Sequence, residues 1–355
     1  MRVLFVLPTL GVGGMERAAT NLANIMVEEG IEVAFFLFAK TNHFYNLNNH
    51  IDIFEPQNNN SILGNTKKIL RYKKACKKWQ PDAVISYGQT SNILAMIANL
   101  GTGKRLFISD RGNPLIYSKK LSHKIIRWFC SKYLAGIIQQ SQKAKDVALK
   151  EMRCKNIAVI GNPILPLDDS LLCNAKRENI VVSVGRFIST KNFDLLIQWF
   201  SELPTDWKLV IVGGDFQYER CEELVTQLKM EERIQLVGKQ SNVKDYLLKS
   251  KIFAFTSTSE GFPNVIGEAL AAGLPVVSFD CMAGPSEMIT NGYNGYLVED
   301  FDKEGFCRSL LYLINNEEER QRMSKNAVES IKKFDSRLIT KRTIDFVINN
   351  KEAAK

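Results

Sequence analysis

The 355-residue chain predicts an α/β fold built from two consecutive doubly wound domains. Short apolar runs bounded by turn residues alternate with helical patterns along most of its length, which is the pattern of parallel βαβ units. That alternation breaks once, at Asn162-Pro163-Ile164-Leu165-Pro166-Leu167-Asp168-Asp169, and resumes at Ile180. The length also exceeds one ordinary core, at about 100 to 200 residues per domain. The expected domains are 1–165 and 166–335, followed over 336–355 by a helix able to pack back on the N-terminal domain.

In the first domain, strands are expected over 2–7, 32–38, 51–54, 83–86, 105–109, 136–139 and 157–160, six or seven of them in one open sheet. Thr9-Leu10-Gly11-Val12-Gly13-Gly14 is a glycine-rich turn before a helix over 15–29 that Gly30 closes. Such a turn brings backbone N–H groups and a helix N-terminus close to an anion; read alone, it fits a ligand-free tight turn equally well. It does not match Gly-x-Gly-x-x-Gly, because no glycine stands where the third is needed. The second domain repeats the pattern over 180–184, 208–212, 234–236, 252–256, 275–279 and 295–298. A last helix is expected over 336–349. In such sheets ligands bind at the carboxyl ends of the strands, and a cleft between the domains is the expected site.

Charge is unevenly spread. Residues 1–165 hold 23 Lys and Arg against 10 Asp and Glu, whereas the remainder holds 24 against 28. Two basic segments stand out: Lys67 to Trp79, with seven positive charges and no negative one, and Lys119 to Lys132, with Ile125, Ile126, Trp128 and Phe129 beside Lys124 and Arg127. Basic amphipathic helices of this kind can lie on anionic headgroups, so peripheral membrane contact is expected. No zinc-finger or RNP-type pattern points to nucleic acid.

Seven cysteines without a Cys-x-x-Cys pair signal neither a disulfide framework nor a zinc site, and a reducing cytoplasm is the expected setting. The first apolar run is too short for a secretory signal, and no run reaches the roughly 18 residues of a membrane span.

Candidate chemistry gathers in the second half. After Val184, Gly185-Arg186 and Lys191 would place two cations at the carboxyl edge of the sheet, which suits a departing diphosphate. Val212-Gly213-Gly214-Asp215 and Val237-Gly238-Lys239 end the next two strands. Glu260 and Glu268 stand eight residues apart, the first on a loop and the second expected about two turns into a helix that starts near Pro263. A helix start there offers unpaired N–H groups to an anion.

Taken together, Gly11-Val12-Gly13-Gly14, Gly185-Arg186 with Lys191, Gly213-Gly214-Asp215, Glu260-x7-Glu268 with Gly261-Phe262-Pro263, and Gly273-Leu274-Pro275 followed by Asn291-Gly292-Tyr293-Asn294-Gly295 resemble the retaining glycosyltransferases of family 4. The resemblance spans nearly the whole chain and implies the GT-B architecture, two Rossmann-like domains facing a cleft. It implies a nucleotide-sugar donor and a glycan acceptor, with Arg186 and Lys191 on the donor diphosphate and Glu260 on the transferred sugar. Glu268 would bind the ribose hydroxyls, and backbone N–H groups of Phe262, Asn264 and Val265 would line sugar and phosphates, with Gly13, Gly14, Gly185 and Gly214 also at the donor. Where many relatives carry a His after the fifth strand, this chain has Ile108-Ser109-Asp110-Arg111-Gly112-Asn113-Pro114, and Arg111 is the expected replacement contact.

Cys281-Met282-Ala283-Gly284-Pro285 resembles members using UDP-galactose or UDP-N-acetylgalactosamine. A front-face reaction without an obligatory nucleophile, and a polyprenyl-diphosphate-linked acceptor at the inner leaflet, are the implied chemistry. No cofactor and no metal are expected: Asp300-Phe301-Asp302 matches Asp-x-Asp in letters only and reads as a helix cap, and His43, His50 and His123 lack metal spacing. Two alternatives stay open, a UDP-N-acetylglucosamine 2-epimerase of the same architecture and a non-catalytic nucleotide-sugar-binding subunit.

Overall fold

The computed structural model describes residues 1–11, 13–57, 64–112, 121–282 and 284–349. Val12, Asn113, Pro114, Lys119, Lys120 and Ala283 lie outside the described residues. The chain divides into two compact units, Met1–Pro163 with Ser336–Lys355, and Ile164–Asp335.

The first unit carries β1 (Arg2–Leu7), β2 (Glu32–Leu37), β3 (Asp52–Phe54), β4 (Ala83–Tyr87), β5 (Arg105–Ser109), β6 (Gly136–Gln139) and β7 (Ile157–Val159). They form one parallel sheet in the order β3-β2-β1-β4-β5-β6-β7, with Phe5 opposite Phe35 on one side and Ile85 on the other. Helices cover both faces, so the strands are apolar at nearly every position. Leu4, Val6, Phe36, Val84 and Ile108 pack on one face with Tyr72, Ala75 and Ile93. The alternate residues Phe5, Phe35 and Tyr87 stack on the other, with ring centroids 5.3 and 5.8 Å apart. The final helix, Ser336–Asn349, belongs to this unit: Phe346 meets Phe107 at 5.6 Å, and Arg105 donates to the Val347 carbonyl.

The second unit carries β8 (Ile180–Val184), β9 (Lys208–Val212), β10 (Ile234–Leu236), β11 (Ile252–Phe255), β12 (Val276–Phe279) and β13 (Gly295–Val298), in the order β10-β9-β8-β11-β12-β13. This is the arrangement of β3-β2-β1-β4-β5-β6 again. Its core is aromatic, with Trp199 against Phe279 and Phe306 at 5.9 and 5.7 Å. In each sheet the strand order reverses once, between β1 and β4 and between β8 and β11.

The two basic segments present their charges differently. The helix Asn65–Trp79 does expose Lys67, Lys73, Lys74, Lys77 and Lys78. The helix Leu121–Cys130, however, turns Arg127 inward, where it donates to both carboxylate oxygens of Asp110 at 3.2 and 2.9 Å. Asp110 has no exposed side-chain surface, and a buried carboxylate without a counter-charge is costly. Asn92 and Gln139 complete its partners at 2.9 and 3.3 Å.

Candidate functional site

The strand order of the second sheet reverses between β8 and β11, and open α/β sheets bind ligands at the carboxyl ends of strands beside such a reversal. Here the sequence places its polar residues. β8 runs through Gly185 and Arg186 into a 3-10 turn, Ser189–Lys191, and Asn192 then takes a left-handed conformation (φ 51°) before the next helix. β11 runs into Thr256, Ser257 and Thr258. The Thr256 hydroxyl donates to the Lys191 carbonyl at 2.8 Å, and the Asn192 amide donates to the Thr256 carbonyl at 2.8 Å. The Ser257 hydroxyl and the Thr258 N–H both donate to the Thr190 carbonyl. The two loops are therefore stitched together at the strand-order reversal.

On this base Lys191 Nζ lies 2.5 Å from Glu260 Oε1, both side chains 14% exposed. The same ammonium sits 5.0 Å from the centre of the Phe255 ring, a cation–π contact that holds a charge without a second carboxylate. Arg186 is exposed. Gly185 lies under the Lys191 stem: a Cβ there would come within 3.4 Å of its Cε. Gly213 approaches Gly185 so closely (φ +146°) that a Cβ would fall 1.8 Å from the Gly185 carbonyl oxygen. Gly214 accepts from the Phe187 N–H, and the Lys239 side chain packs over it.

The helix after Glu260 spans Asn264–Ala271, with Pro263 as the residue preceding it. Phe262 is buried against Phe334 at 5.5 Å, and Gly284 packs on the Pro263 ring, which together fix where the helix starts. Glu268 is the fifth residue of this helix and half-buried, little more than one turn in rather than the two expected. The Asn264 N–H donates to the Phe262 carbonyl at 2.9 Å, and Val265 follows on the first turn. Gly185, Arg186, Lys191, Gly214, Glu260, Phe262, Asn264, Val265 and Glu268 thus share the carboxyl edge of one sheet.

Gly13, Gly14 and Arg111 belong to the other unit, at the carboxyl edge of its sheet. Gly13 precedes the helix Gly14–Glu28, and its carbonyl accepts from the Tyr45 hydroxyl at 3.1 Å. The Glu16 carboxyl folds back against Gly13, and burial raises its pKa despite the hydrogen bond from its own backbone. Arg111 lies over the Tyr87 ring at 4.5 Å and donates to Asn162, which also accepts from Gln140 at 2.7 Å. Burial lowers the Arg111 pKa, and burial raises that of Tyr87.

Sequence reasoning did not single out Asn192, Thr256, Phe255 or the Asp110–Arg127 pair. The available signal was the hydroxyl cluster Thr256-Ser257-Thr258-Ser259 directly after an apolar strand. Asp302 caps the helix Lys303–Asn315 by accepting from the Gly305 N–H at 2.9 Å. Among the described residues, no group of three or more His, Cys, Asp or Glu converges as a metal site, and no helix is long and apolar enough to cross a membrane.

Residues 12–165 match the family model described as Glycosyltransferase Family 4, and residues 172–330 match Glycosyl transferases group 1. The amylovoran biosynthesis glycosyltransferase AmsD of Erwinia amylovora is 27% identical, covering 94% of this chain and 96% of that protein. An N-acetylgalactosamine-N,N'-diacetylbacillosaminyl-diphospho-undecaprenol 4-alpha-N-acetylgalactosaminyltransferase of Campylobacter jejuni is also 27% identical, covering 96% and 97%. Among solved structures, Anabaena HepE in complex with UDP superposes with a TM-score of 0.83 at 19% identity, covering 97% of this chain and 99% of that one. Two family models in tandem, each on its own parallel sheet, make this chain a member of the family 4 glycosyltransferases with the GT-B fold.

Proposed function

We propose that the chain is a retaining transferase that moves a hexose or N-acetylhexosamine from a UDP-sugar, of the galactose or N-acetylgalactosamine type, to a polyprenyl-diphosphate-linked glycan. The observation that carries this reading is the Lys191–Glu260 pair at the strand-order reversal of the second sheet. A donor diphosphate entering there meets Lys191 and Arg186, whose charges offset the negative charge that develops as the sugar leaves. Glu260, released from Lys191, accepts from hydroxyls of the transferred sugar. Glu268 accepts from the ribose hydroxyls, and the first turn of its helix lines the phosphates, with Phe262 and Val265 offering N–H groups while the Asn264 N–H stays on the Phe262 carbonyl. Gly185 and Gly214 let the Lys191 and Lys239 side chains lie close over the backbone at the donor.

The reaction follows a front-face route in which the departing phosphate takes the acceptor proton and no enzyme nucleophile is needed. Two side-chain cations supply the neutralisation that a metal would otherwise provide. UDP in the HepE structure and the diphospho-undecaprenol substrate in the Campylobacter relative's name support the donor and acceptor classes. A lipid-linked acceptor places the work at the cytoplasmic face of a membrane, which the basic N-terminal segments contact peripherally.

A panel of nucleotide sugars tested for thermal stabilisation checks the donor, because a ligand well above its Kd adds a few kcal/mol. Product analysis with the best donor and a diphospho-undecaprenol acceptor then decides the reaction. An extended acceptor with the anomeric configuration kept supports the proposal. An epimerised donor, or no product, overturns it.

A further inference from the structure

The helix Leu121–Cys130 is apolar on both sides, with Ile126 and Cys130 packed on the core of its unit. Its inward face carries Arg127, in the buried pair with Asp110, while Ile125, Trp128 and Phe129 point outward with half or more of their surface exposed. Leu121 and Tyr133, 71% and 55% exposed, extend this stripe at both ends. Positions 121, 125, 128 and 129 lie on one side of a helix, so the apolar residues form a continuous ridge rather than scattered exceptions.

The surroundings of the ridge are cationic. The Arg153 guanidinium lies 4.8 Å from the centre of the Trp128 ring, and the Lys132 ammonium lies 4.9 and 4.7 Å from the rings of Phe129 and Tyr133. From residue 111 to 145 the sequence contains eight Lys and Arg and no Asp or Glu. Beside Tyr133, a groove of about 640 Å³ is lined, among the described residues, by Lys104, Arg105 and Lys132 and by no carboxylate.

We infer that this ridge inserts into an anionic lipid bilayer, with Ile125, Trp128 and Phe129 among the acyl chains and Lys132 and Arg153 at the headgroup phosphates. The inference rests on the reading that the chain works at a membrane and specifies how it docks. Aromatic rings stacked under cations suit the boundary between headgroups and hydrocarbon, where the ring is solvated by lipid and the charge by phosphate. A protein partner offering an apolar groove would leave this ring of cations without counter-charges, whereas phosphatidylglycerol supplies them. The exposed lysines of the helix Asn65–Trp79 can attract the surface electrostatically, but that helix exposes only Leu70 among its large apolar side chains.

The test uses the full chain and vesicles of phosphatidylethanolamine with phosphatidylglycerol, in low salt and in about 1 M salt, where the screening length is about 3 Å. Cosedimentation is expected to persist in high salt. Brominated acyl chains should quench fluorescence in the wild type but not in Trp128→Phe. The Ile125→Ser/Phe129→Ser variant should bind about tenfold more weakly or worse, with its melting temperature and its stabilisation by UDP unchanged. Binding that vanishes in high salt and is unaltered in the serine variant overturns insertion while leaving peripheral electrostatic contact standing. Absence of vesicle binding overturns both. A dimer of the wild type that becomes monomeric in the serine variant also overturns insertion, since the ridge would then join two copies of the chain.

Discussion

Lys191 Nζ and Glu260 Oε1 lie 2.5 Å apart on the two loops that flank the strand-order reversal of the second sheet. In the proposed reaction the diphosphate draws Lys191 from Glu260, which would tie donor binding to the freeing of Glu260. Lys191→Ala should lower turnover of the correct donor by about 10²–10³, the effect of removing one preorganised charge-stabilising group. Steady-state kinetics with the donor identified by thermal shift would check this, and unchanged turnover would rule out the assignment.

Glu268 is assigned to the ribose. Glu268→Gln should weaken UDP binding roughly tenfold or more, as expected for a hydrogen bond to a charged group. The same substitution should leave the affinity for 2′,3′-dideoxy-UDP unchanged, because that ligand lacks the hydroxyls. Calorimetry with both ligands distinguishes this from a general loss of fold, which would weaken both.

Gly213 has φ +146° and no room for a Cβ, since the obstructing atom is the backbone carbonyl of Gly185. Gly213→Ala should destabilise the protein by about 2 kcal/mol or more, combining backbone strain with displacement of a neighbouring strand end. Gly292→Ala provides the contrast: its φ is also positive, +75°, but no atom lies within 4 Å, so only strain contributes. Urea unfolding midpoints would rank the two.

Arg127 and Asp110 couple stability to pH. Burial alone would raise the Asp110 pKa, but Arg127, with Asn92 and Gln139, holds it below its ordinary 3.8. The folded state therefore binds the proton more weakly than the unfolded chain. The pair's contribution is complete above about pH 4 and fades as pH falls through the depressed value. Arg127→Met should cost about 3–5 kcal/mol by leaving the carboxylate unpaired. Adding Asp110→Asn should recover part of that loss and flatten the acid limb, measured as urea midpoints from pH 7 to pH 3.

Asp302 is assigned to a helix cap. Asp302→Ala should cost about 1 kcal/mol of stability while leaving donor turnover unchanged. Turnover should also be the same with and without a chelator. Activity that disappears with chelator and returns with manganese would refute the metal-free mechanism.

The strands were legible because a sheet covered on both faces demands unbroken apolar runs, and Val3 to Leu7 or Ile252 to Phe255 have few other uses. The order of motifs was equally legible: Gly185-Arg186, Gly213-Gly214 and Glu260-x7-Glu268 each follow a strand end, where backbone geometry brings ligands. Helix 264–271 was expected near Pro263, but the depth of Glu268 in it depended on Phe262 and Gly284 fixing the first turn, contacts between residues far apart in sequence.

What the sequence by itself determined was the pair of parallel sheets and the edge of each at which chemistry belongs, since periodicity and turn residues are local properties. Which charges meet was decided only by tertiary structure. Lys191 could have faced solvent, and its partner stands 69 positions away. Arg127 pairs with Asp110, 17 positions earlier, and is buried with it, while Ile125, Trp128 and Phe129 of the same helix stay exposed. Burial sets the cost of an unpaired charge, and burial is a property of the packed chain rather than of any segment within it.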